Sequence, residues 1–331
     1  MLVSQIVSIG ASVMQQHDTP VWEPVQDIVE RFIKPDHRHH WPLSPTFPLD
    51  IRFLRLNRNL DVPPHRPDHL EIVYVEQGEV GYEVGDRTCT LHPGDIIVVG
   101  DRILHRCLRT RLAHPDVHST VLYFRPELVS SGSPFGDDLR YLLPFSRQSE
   151  SFRNVIPAEG GIAGDVFTFL QRIRREMDAT SDHARFAVRT YVRLILALIG
   201  NYYMSNRESR DLMMRSHDDL SRLKPVFDYI SANFSEPIRV ENAARLAAMS
   251  PTYFMHYFRK TTGSSFVHYL NNLRVSRAQY LLSETDKSIA EISYEAGFCS
   301  QSYFGTVFRR FAGLTALSYR TQSRAPSRHT A

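Results

Sequence analysis

The feature that most constrains this chain is a repeat. Between Arg239 and Arg320 the sequence returns on itself at an offset of fifty. Tyr253-Phe254 falls on Tyr303-Phe304, Phe258-Arg259-Lys260 on Phe308-Arg309-Arg310, Gly263 on Gly313 and Ser250 on Ser300. A repeat of this kind means one supersecondary unit used twice. Upstream the match slips by one, with Val240 against Ile289 and Ala243 against Ile292. The turn inside the second copy is therefore expected to be one residue longer. Each copy reads as a helix-turn-helix.

The physical reading of the two copies is the same. Val240, Ala243, Ala244 and Ala247 recur at helical spacing and then break at Ser250-Pro251. There a side-chain oxygen meets the orphan amides of the next helix and a proline suits its first position. That second helix is expected to stop at Gly263, a residue that tolerates a left-handed C-terminal conformation. On it Phe254 and Phe258 share a face that must be buried, while Thr252, Met255, His256 and Arg259 share one that must be exposed. In the second copy Ser288-Ile289-Ala290-Glu291 has capping-box spacing. The helix after it buries Phe304, Phe308 and Phe311 and exposes Gln301, Ser302, Gly305, Thr306 and Arg309. Each exposed face ends in a basic pair, Arg259-Lys260 and Arg309-Arg310.

That arrangement suits nucleic acid. A recognition helix enters the major groove with its N-terminal half against base edges, and positive side chains neutralise phosphates. Between the copies, Ser265 to Leu282 has a helical pattern that spans roughly 27 Å at about 1.5 Å per residue. Major-groove faces recur every ~34 Å on one side of B-DNA. A tilted connecting helix of that length holds two readers in successive grooves.

These residues carry a resemblance. Ser288-Ile289-Ala290-Glu291-Ile292, Gly297-Phe298, Gln301-Ser302-Tyr303-Phe304, Phe308-Arg309-Arg310 and Gly313 resemble the DNA-binding domain of the AraC/XylS family of bacterial transcription regulators. The resemblance implies base contacts at Thr252, Met255, His256, Gln301, Ser302, Gly305 and Thr306. It implies phosphate contacts at Ser250, Arg259, Lys260, Ser300, Arg309 and Arg310. Ala316 stands where the family usually has proline, which weakens a stop signal without touching a contact. The same module also occurs fused to alkyl-transfer repair domains, which need a zinc-bound cysteine cluster. Cys89, Cys107 and Cys299 are scattered, so that variant is excluded.

Charge supports a split chain. From Ser216 to Ala331 there are 14 Lys+Arg against 9 Asp+Glu, a balance of +5, and the remainder has 25 against 27, or −2. A basic C-terminal part on a faintly acidic N-terminal part fits a reader of polyanions attached to something else. No stretch approaches the ~18 apolar residues of a membrane span, and the N-terminus lacks the n-region and apolar core of a signal peptide. Three unpaired cysteines argue against an oxidising compartment. The expected location is the cytoplasm.

Residues 1–49 are poorly defined by pattern. Pro24 to Ile33 reads as a short amphipathic helix, and the histidine cluster Asp36-His37-Arg38-His39-His40-Trp41 reads as a solvated loop. From Asp50 to Arg125 the period changes to two. Short runs at 51–56, 71–77, 79–84, 87–91, 95–99 and 119–125 read as strands separated by tight turns, which imply a small β-barrel or jelly roll. Within it His65, Glu71 and His105, with Gly78 and Pro93-Gly94-Asp95, resemble a cupin barrel, specifically the sensor domain of many members of the same regulator family. The resemblance implies a small-molecule effector bound near His65, Glu71 and His105. A filled barrel whose histidines satisfy core hydrogen bonds is the other reading of those residues. Metal-binding cupins carry a histidine where Pro67 stands, so neither metal nor cofactor is expected. Two histidines and a carboxylate do, however, retain the make-up of an iron-type triad.

Two helices follow, Asp165 to Met177 and Arg185 to Met204. The apolar row Val192-Ile195-Ile199 fits either a contact with a second copy or packing inside the chain, with Arg185, Arg189 and Arg193 as a solvated ridge. In the family this pair is the usual dimerisation element.

The expected organisation is α+β and multidomain. It comprises a cupin-like effector-binding barrel at 50–160, a helical dimerisation element at 161–205, a linker at 206–218 and an all-α double helix-turn-helix at 219–325. The function implied is a homodimeric, effector-controlled regulator that binds double-stranded promoter DNA and works with RNA polymerase, activating by family habit and not acting as an enzyme. An effector-independent regulator and a metal-dependent cupin enzyme with a helical tail are the alternatives.

Overall fold

The alternating apolar residues between 49 and 124 do pair into sheets. The computed structural model describes residues 20–44, 47–57, 61–101, 103–108, 116–129, 139–146, 153–177, 181–262 and 265–324. Eleven strands are present among them: β1 (Glu23–Pro24), β2 (Arg38–His39), β3 (Leu49–Asn57), β4 (Arg66–Pro67), β5 (Leu70–Gln77), β6 (Val80–Val84), β7 (Arg87–Leu91), β8 (Ile96–Val99), β9 (His105–Leu108), β10 (Asp116–Phe124) and β11 (Val155–Ile156). A six-stranded sheet runs β1-β3-β10-β5-β8-β11, a three-stranded sheet β7-β6-β9, and β2 pairs with β4. The longest ladder joins β10 to β3 antiparallel, from Asp116 opposite Asn57 to Phe124 opposite Leu49. An isolated bridge between His65, just before β4, and His105 of β9 links the two-stranded sheet to the three-stranded one. Among the described residues this is a pair of facing sheets rather than a closed ladder.

Because side chains alternate along a strand, the large sheet serves two cores. Leu54, Val73, Val75, Val121 and Tyr123 point inward and meet Val80, Tyr82, Val84 and Leu91 of the small sheet. Ile51, Ile72, Ile96, Val98, Leu122 and Phe124 point outward under a helical layer. The near-continuous apolar run Ile96-Ile97-Val98-Val99 is fully buried, as a strand covered on both faces requires.

The helices are α1 (Val25–Ile28), α2 (Leu139–Ser146), α3 (Ala163–Met177), α4 (Asp182–Ser205), α5 (Arg207–Asn233), α6 (Val240–Leu246), α7 (Pro251–Thr262), α8 (Phe266–Glu284), α9 (Ile289–Glu295), α10 (Gln301–Ala312) and α11 (Ala316–Arg324). None of the described helices is long and apolar enough to cross a membrane.

Two expectations need correction. The row Val192-Ile195-Ile199 is buried inside the chain, together with Val188, Leu196 and Tyr203, against α2, α3 and α5. Its apolar surface is consumed by the helical layer over the sheet. The arginine ridge is exposed as expected. From it Arg193 donates to Val129 O at 2.8 Å, and Arg185 and Arg189 lie over the Phe47 ring. The second correction concerns 206–218. Apart from Asn206, which caps α4, this segment is the first half of α5 and not a loop. Polar residues are tolerated there because only one face is covered, by Ser209, Met213 and, further on, Leu220, Leu223, Phe227 and Ile230.

The N-terminal segment also differs. Pro24 to Ile33 forms α1 and then a single 3-10 turn at Glu30–Phe32. His39 and Trp41 of the supposed solvated loop are buried, at 0% and 2% exposure. Trp41 donates its indole N–H to Asp50 at 2.9 Å, and β2 hydrogen-bonds to β4, which carries the segment over the end of the sheets.

The repeat resolves as α6–α7 and α9–α10, joined by α8. The first turn spans 247–250 and the second 296–300, so the second is longer by one residue. Ser265 caps α8 by accepting from His268 N, and the 19 residues of α8 extend roughly 28 Å. Each copy folds on an aromatic cluster. Phe254, Phe258 and Phe266 meet Phe227 and Tyr269 in the first, and Phe298, Phe304, Phe308 and Tyr319 meet in the second. Burial of each large ring contributes about 1.5–3 kcal/mol.

Candidate nucleic-acid interface and barrel pocket

Two sites emerge, one in each half. In the helical half, α7 and α10 begin alike. Ser250 accepts from Tyr253 N at 3.4 Å and Ser300 from Tyr303 N at 3.2 Å. The turn before each helix holds a left-handed residue at the equivalent place, Ala248 with φ 55° and Gly297 with φ 89°. In the second copy the capping box is complete: Ser288 Oγ accepts from Glu291 N, and Glu291 accepts from Ser288 N at 2.7 Å. Gly313 ends α10 with φ 72°. The expected stop at Gly263 lies outside the described residues.

Exposure repeats almost residue for residue. In α7 Thr252, Tyr253, His256, Arg259 and Lys260 are exposed while Phe254, Tyr257 and Phe258 are buried. In α10 Gln301, Ser302, Tyr303, Gly305, Thr306, Arg309 and Arg310 are exposed while Phe304, Val307 and Phe308 are buried. Met255 departs from expectation: it is half-buried and packs against the core, because it sits at the margin of the Phe254 face. Phe311 is likewise half-buried rather than buried. Arg259, Lys260, Arg309 and Arg310 have no carboxylate partner among the described residues. A convex pair of helix faces, each with polar tips and two free cations, is the chemistry of groove and phosphate contact.

Sequence pattern missed how the two copies are held together. Arg274 of α8 donates from Nε to Phe234 O at 2.8 Å and from a terminal nitrogen to Glu236 O at 3.0 Å. Asn271 donates to the Tyr303 hydroxyl at 2.9 Å, and the Tyr257 hydroxyl donates to Asp219 at 2.8 Å. The Arg274 and Asn271 bonds fasten the connecting helix to both units, and the Tyr257 bond ties α7 to α5. A polar residue facing inward on a helix whose apolar stripe is otherwise regular is the only signal the sequence offered.

In the sheet half, His65, Glu71 and His105 do come together, all buried to 3% exposure. They line a cavity of about 40 Å³ between the sheets, with Tyr82, Cys107 and Tyr123. That is room for an ion or a few waters. His105 Nε2 lies 3.4 Å from one carboxylate oxygen of Glu71. His69 Nε2 lies 3.0 Å from the other, and His39 Nδ1 3.7 Å from it. Sequence reading therefore missed two of four histidines: His69 was not singled out, and His39 looked like part of a solvated loop.

The electrostatics follow from the packing. Burial alone would raise the Glu71 carboxyl, yet the charge of His105, with its hydrogen bond and that of His69, holds it well below the usual carboxylate range. Burial pushes His65 down to about 3, helped by His105. It also lowers His39. Burial opposes protonation of His69, but Asp68 and Glu71 outweigh it and raise this imidazole. Burial pushes the Cys107 thiol up to about 12 and the Tyr82 and Tyr123 hydroxyls well above their ordinary values. The pocket thus presents an ionised carboxylate among neutral or hydrogen-bonded rings.

Comparison with known proteins agrees with both halves. Residues 49–133 match the model of an AraC-like ligand binding domain, and residues 243–322 match a helix-turn-helix domain. The chain is similar to the transcriptional activator RhaS of an Enterobacter species, 25% identical over 255 residues, covering 75% of this chain and 84% of that protein. It is also similar to the regulatory protein PocR of Salmonella typhimurium, 39% identical over 106 residues, which is 32% of this chain and 34% of that one. Among solved structures, the DNA-binding domain of the transcriptional factor AdpA in complex with a target DNA is 34% identical, with a TM-score of 0.31. It covers 33% of this chain and 98% of that one. The fold and the paired recognition helices define a DNA-binding transcription regulator with an N-terminal ligand-binding domain. Its two halves match the ligand-binding and helix-turn-helix domains of AraC-type regulators.

Proposed function

We propose that this chain works in the cytoplasm as a homodimeric, effector-controlled activator of transcription. It seats α7 and α10 in successive major grooves of promoter DNA and approaches RNA polymerase from there; it carries out no catalytic step. The observation that supports this most is the matched exposure of the two helices across a connector whose length suits the groove repeat. Gln301, Ser302, Gly305 and Thr306 then face base edges, with Thr252, His256 and the exposed part of Met255 doing so in the first unit. Ser250, Arg259, Lys260, Ser300, Arg309 and Arg310 face phosphates.

With the Val192 row used internally, the dimer contact falls to the outer side of α4, where Phe186 is 70% exposed and Leu194 42%. The effector binds beside His65, Glu71 and His105 by widening the cavity there, which at about 40 Å³ otherwise holds an ion or a few waters. It acts through differential affinity for two arrangements of the chain, so effector and DNA must change each other's binding by the same factor.

The test begins with selection of binding sites from random DNA by the full chain. On the selected site Gln301→Ala should lose about 1–3 kcal/mol at one base position, because a glutamine amide bonds adenine at two points. Equal loss on every sequence would refute base reading. A metabolite screen by melting temperature then finds the effector, since a ligand at a hundred times its Kd stabilises by about 2.7 kcal/mol.

A further inference from the structure

The histidines around Glu71 outnumber what a hydrogen-bonded core requires. His39 is wholly buried, and neither of its ring nitrogens has a hydrogen-bond partner. A Glu71 oxygen lies 3.7 Å from its Nδ1, beyond hydrogen-bonding distance. A neutral imidazole in such a place lacks both a donor and an acceptor, which buried polar groups rarely do. His69 approaches the same Glu71 oxygen at 3.0 Å, and its other ring nitrogen lies 3.1 Å from Asp68. Asp68 is in turn held by His40 and Arg125. A carboxylate behind a histidine, fixing its tautomer and turning the far nitrogen inward, is how proteins orient metal ligands.

We propose that His39, His69 and Glu71 form a buried site for one divalent transition-metal ion, zinc being the ion whose preferred donors they supply. Their ligand atoms all lie within 4.8 Å of one another. Bonds of ~2.0–2.1 Å in a tetrahedral site separate adjacent donors by roughly 3.3 Å, and the observed 3.0 and 3.7 Å bracket that value. The ion takes the lone pair that His39 leaves unused and replaces a proton between His69 and Glu71. Two imidazoles and one carboxylate leave a fourth position open, as in three-ligand zinc sites. Glu71 is the only carboxylate shared with the second group, His65 and His105, which converges on its other oxygen. One carboxylate supports one dication, so the two groups do not both fill. The occupied group is the one with the orphaned ring. Because His39 comes from the N-terminal segment and Glu71 from β5, the ion fastens that segment to the sheets. This inference stands whether or not an effector occupies the neighbouring cavity.

The full chain, stripped with chelator and titrated with Zn²⁺, should take up one equivalent and melt at a clearly higher temperature. Cobalt substitution should give visible ligand-field bands. X-ray absorption on the zinc-loaded wild-type chain should count two imidazoles in the coordination shell, which needs no variant to fold. His39→Gln and His69→Gln should each lower zinc affinity at least tenfold, while the exposed His92→Ala leaves it unchanged. Absence of both uptake and thermal response to zinc, cobalt or iron(II) overturns the proposal. So does zinc that survives His39→Gln but is lost in His105→Ala, which would move the ion to the cavity group.

Discussion

Gly297 offers the sharpest test of how the two DNA-reading units are fixed. Its φ is 89°, and a Cβ built there would lie 2.4 Å from the Phe234 carbonyl oxygen, 2.8 Å from Ser235 Cα and 2.9 Å from Arg274 Nε. Gly297→Ala therefore meets two separate penalties. The left-handed conformation costs an L-residue about 1–2 kcal/mol. The clash is with backbone, which cannot swing aside, so the Phe234 carbonyl must move away from Arg274, which donates to it at 2.8 Å. A bond to a charged donor contributes about 1.5–3 kcal/mol, so the total comes to roughly 2.5–5 kcal/mol. Gly313→Ala is the internal control. Its φ is 72° but nothing lies within 4 Å of the added methyl, so only the conformational part, about 1–2 kcal/mol, should appear. Urea unfolding of the full chain, with binding to the selected DNA site read in parallel, separates the two. If Gly297→Ala shifts the midpoint no more than Gly313→Ala, the close approach of the second turn to the end of α5 is not a structural restraint and the reasoning fails.

Other outcomes follow from the same geometry. Lys260→Ala and Arg310→Ala should weaken DNA binding alike on every sequence and each lower the logarithmic salt slope by about one; a sequence-dependent loss would contradict phosphate contact. Ser288→Ala removes the capping box of α9 and should cost about 1 kcal/mol by urea midpoint, and an unchanged midpoint would count against the cap. His65, pushed from 6.5 to about 3 by burial and by His105, stays unprotonated in the fold. Since its folded value is depressed, its contribution is fully present above about 6.5 and falls as pH drops toward 3, by an amount on the order of a few kcal/mol. Melting temperature measured in chelator from pH 7 to pH 4 should fall less steeply for His65→Gln, and an identical slope would sink the assignment.

The legible parts of the sequence were those where local chemistry and burial agree. The repeated Tyr-Phe and Phe-Arg pairs gave both reader helices, the extra residue in the second turn and their exposed faces, because a helical period exposes its own geometry. Ser265, Ser288 and Gly313 marked helix ends correctly since caps act within a single turn. What escaped was decided by distant residues. His39 looks solvated among Arg38 and His40, and becomes core only when β2 pairs with β4. The strand at His105–Leu108 has too little alternation to stand out, and its pairing with β6 defines it. The Val192 row was plainly apolar, but nothing in its spacing distinguishes a partner's helix from the sheet beneath. Residues 207–218 read as loop chemistry because Ser, Asp and Arg are dense there, yet a helix needs only one covered face.

The continuity of α5 has a mechanical consequence. One helix, with Pro225 inside it, runs from its contacts with α2 and α4 to its contacts with α6 and α7, so the ligand-binding half meets the helix-turn-helix half through a helix and not a tether. A helix transmits angle. Each residue added to it turns everything downstream by about 100°, so azimuth, and not reach, is what this joint sets, and spacing between half-sites on DNA should be tolerated far less than a flexible hinge would allow.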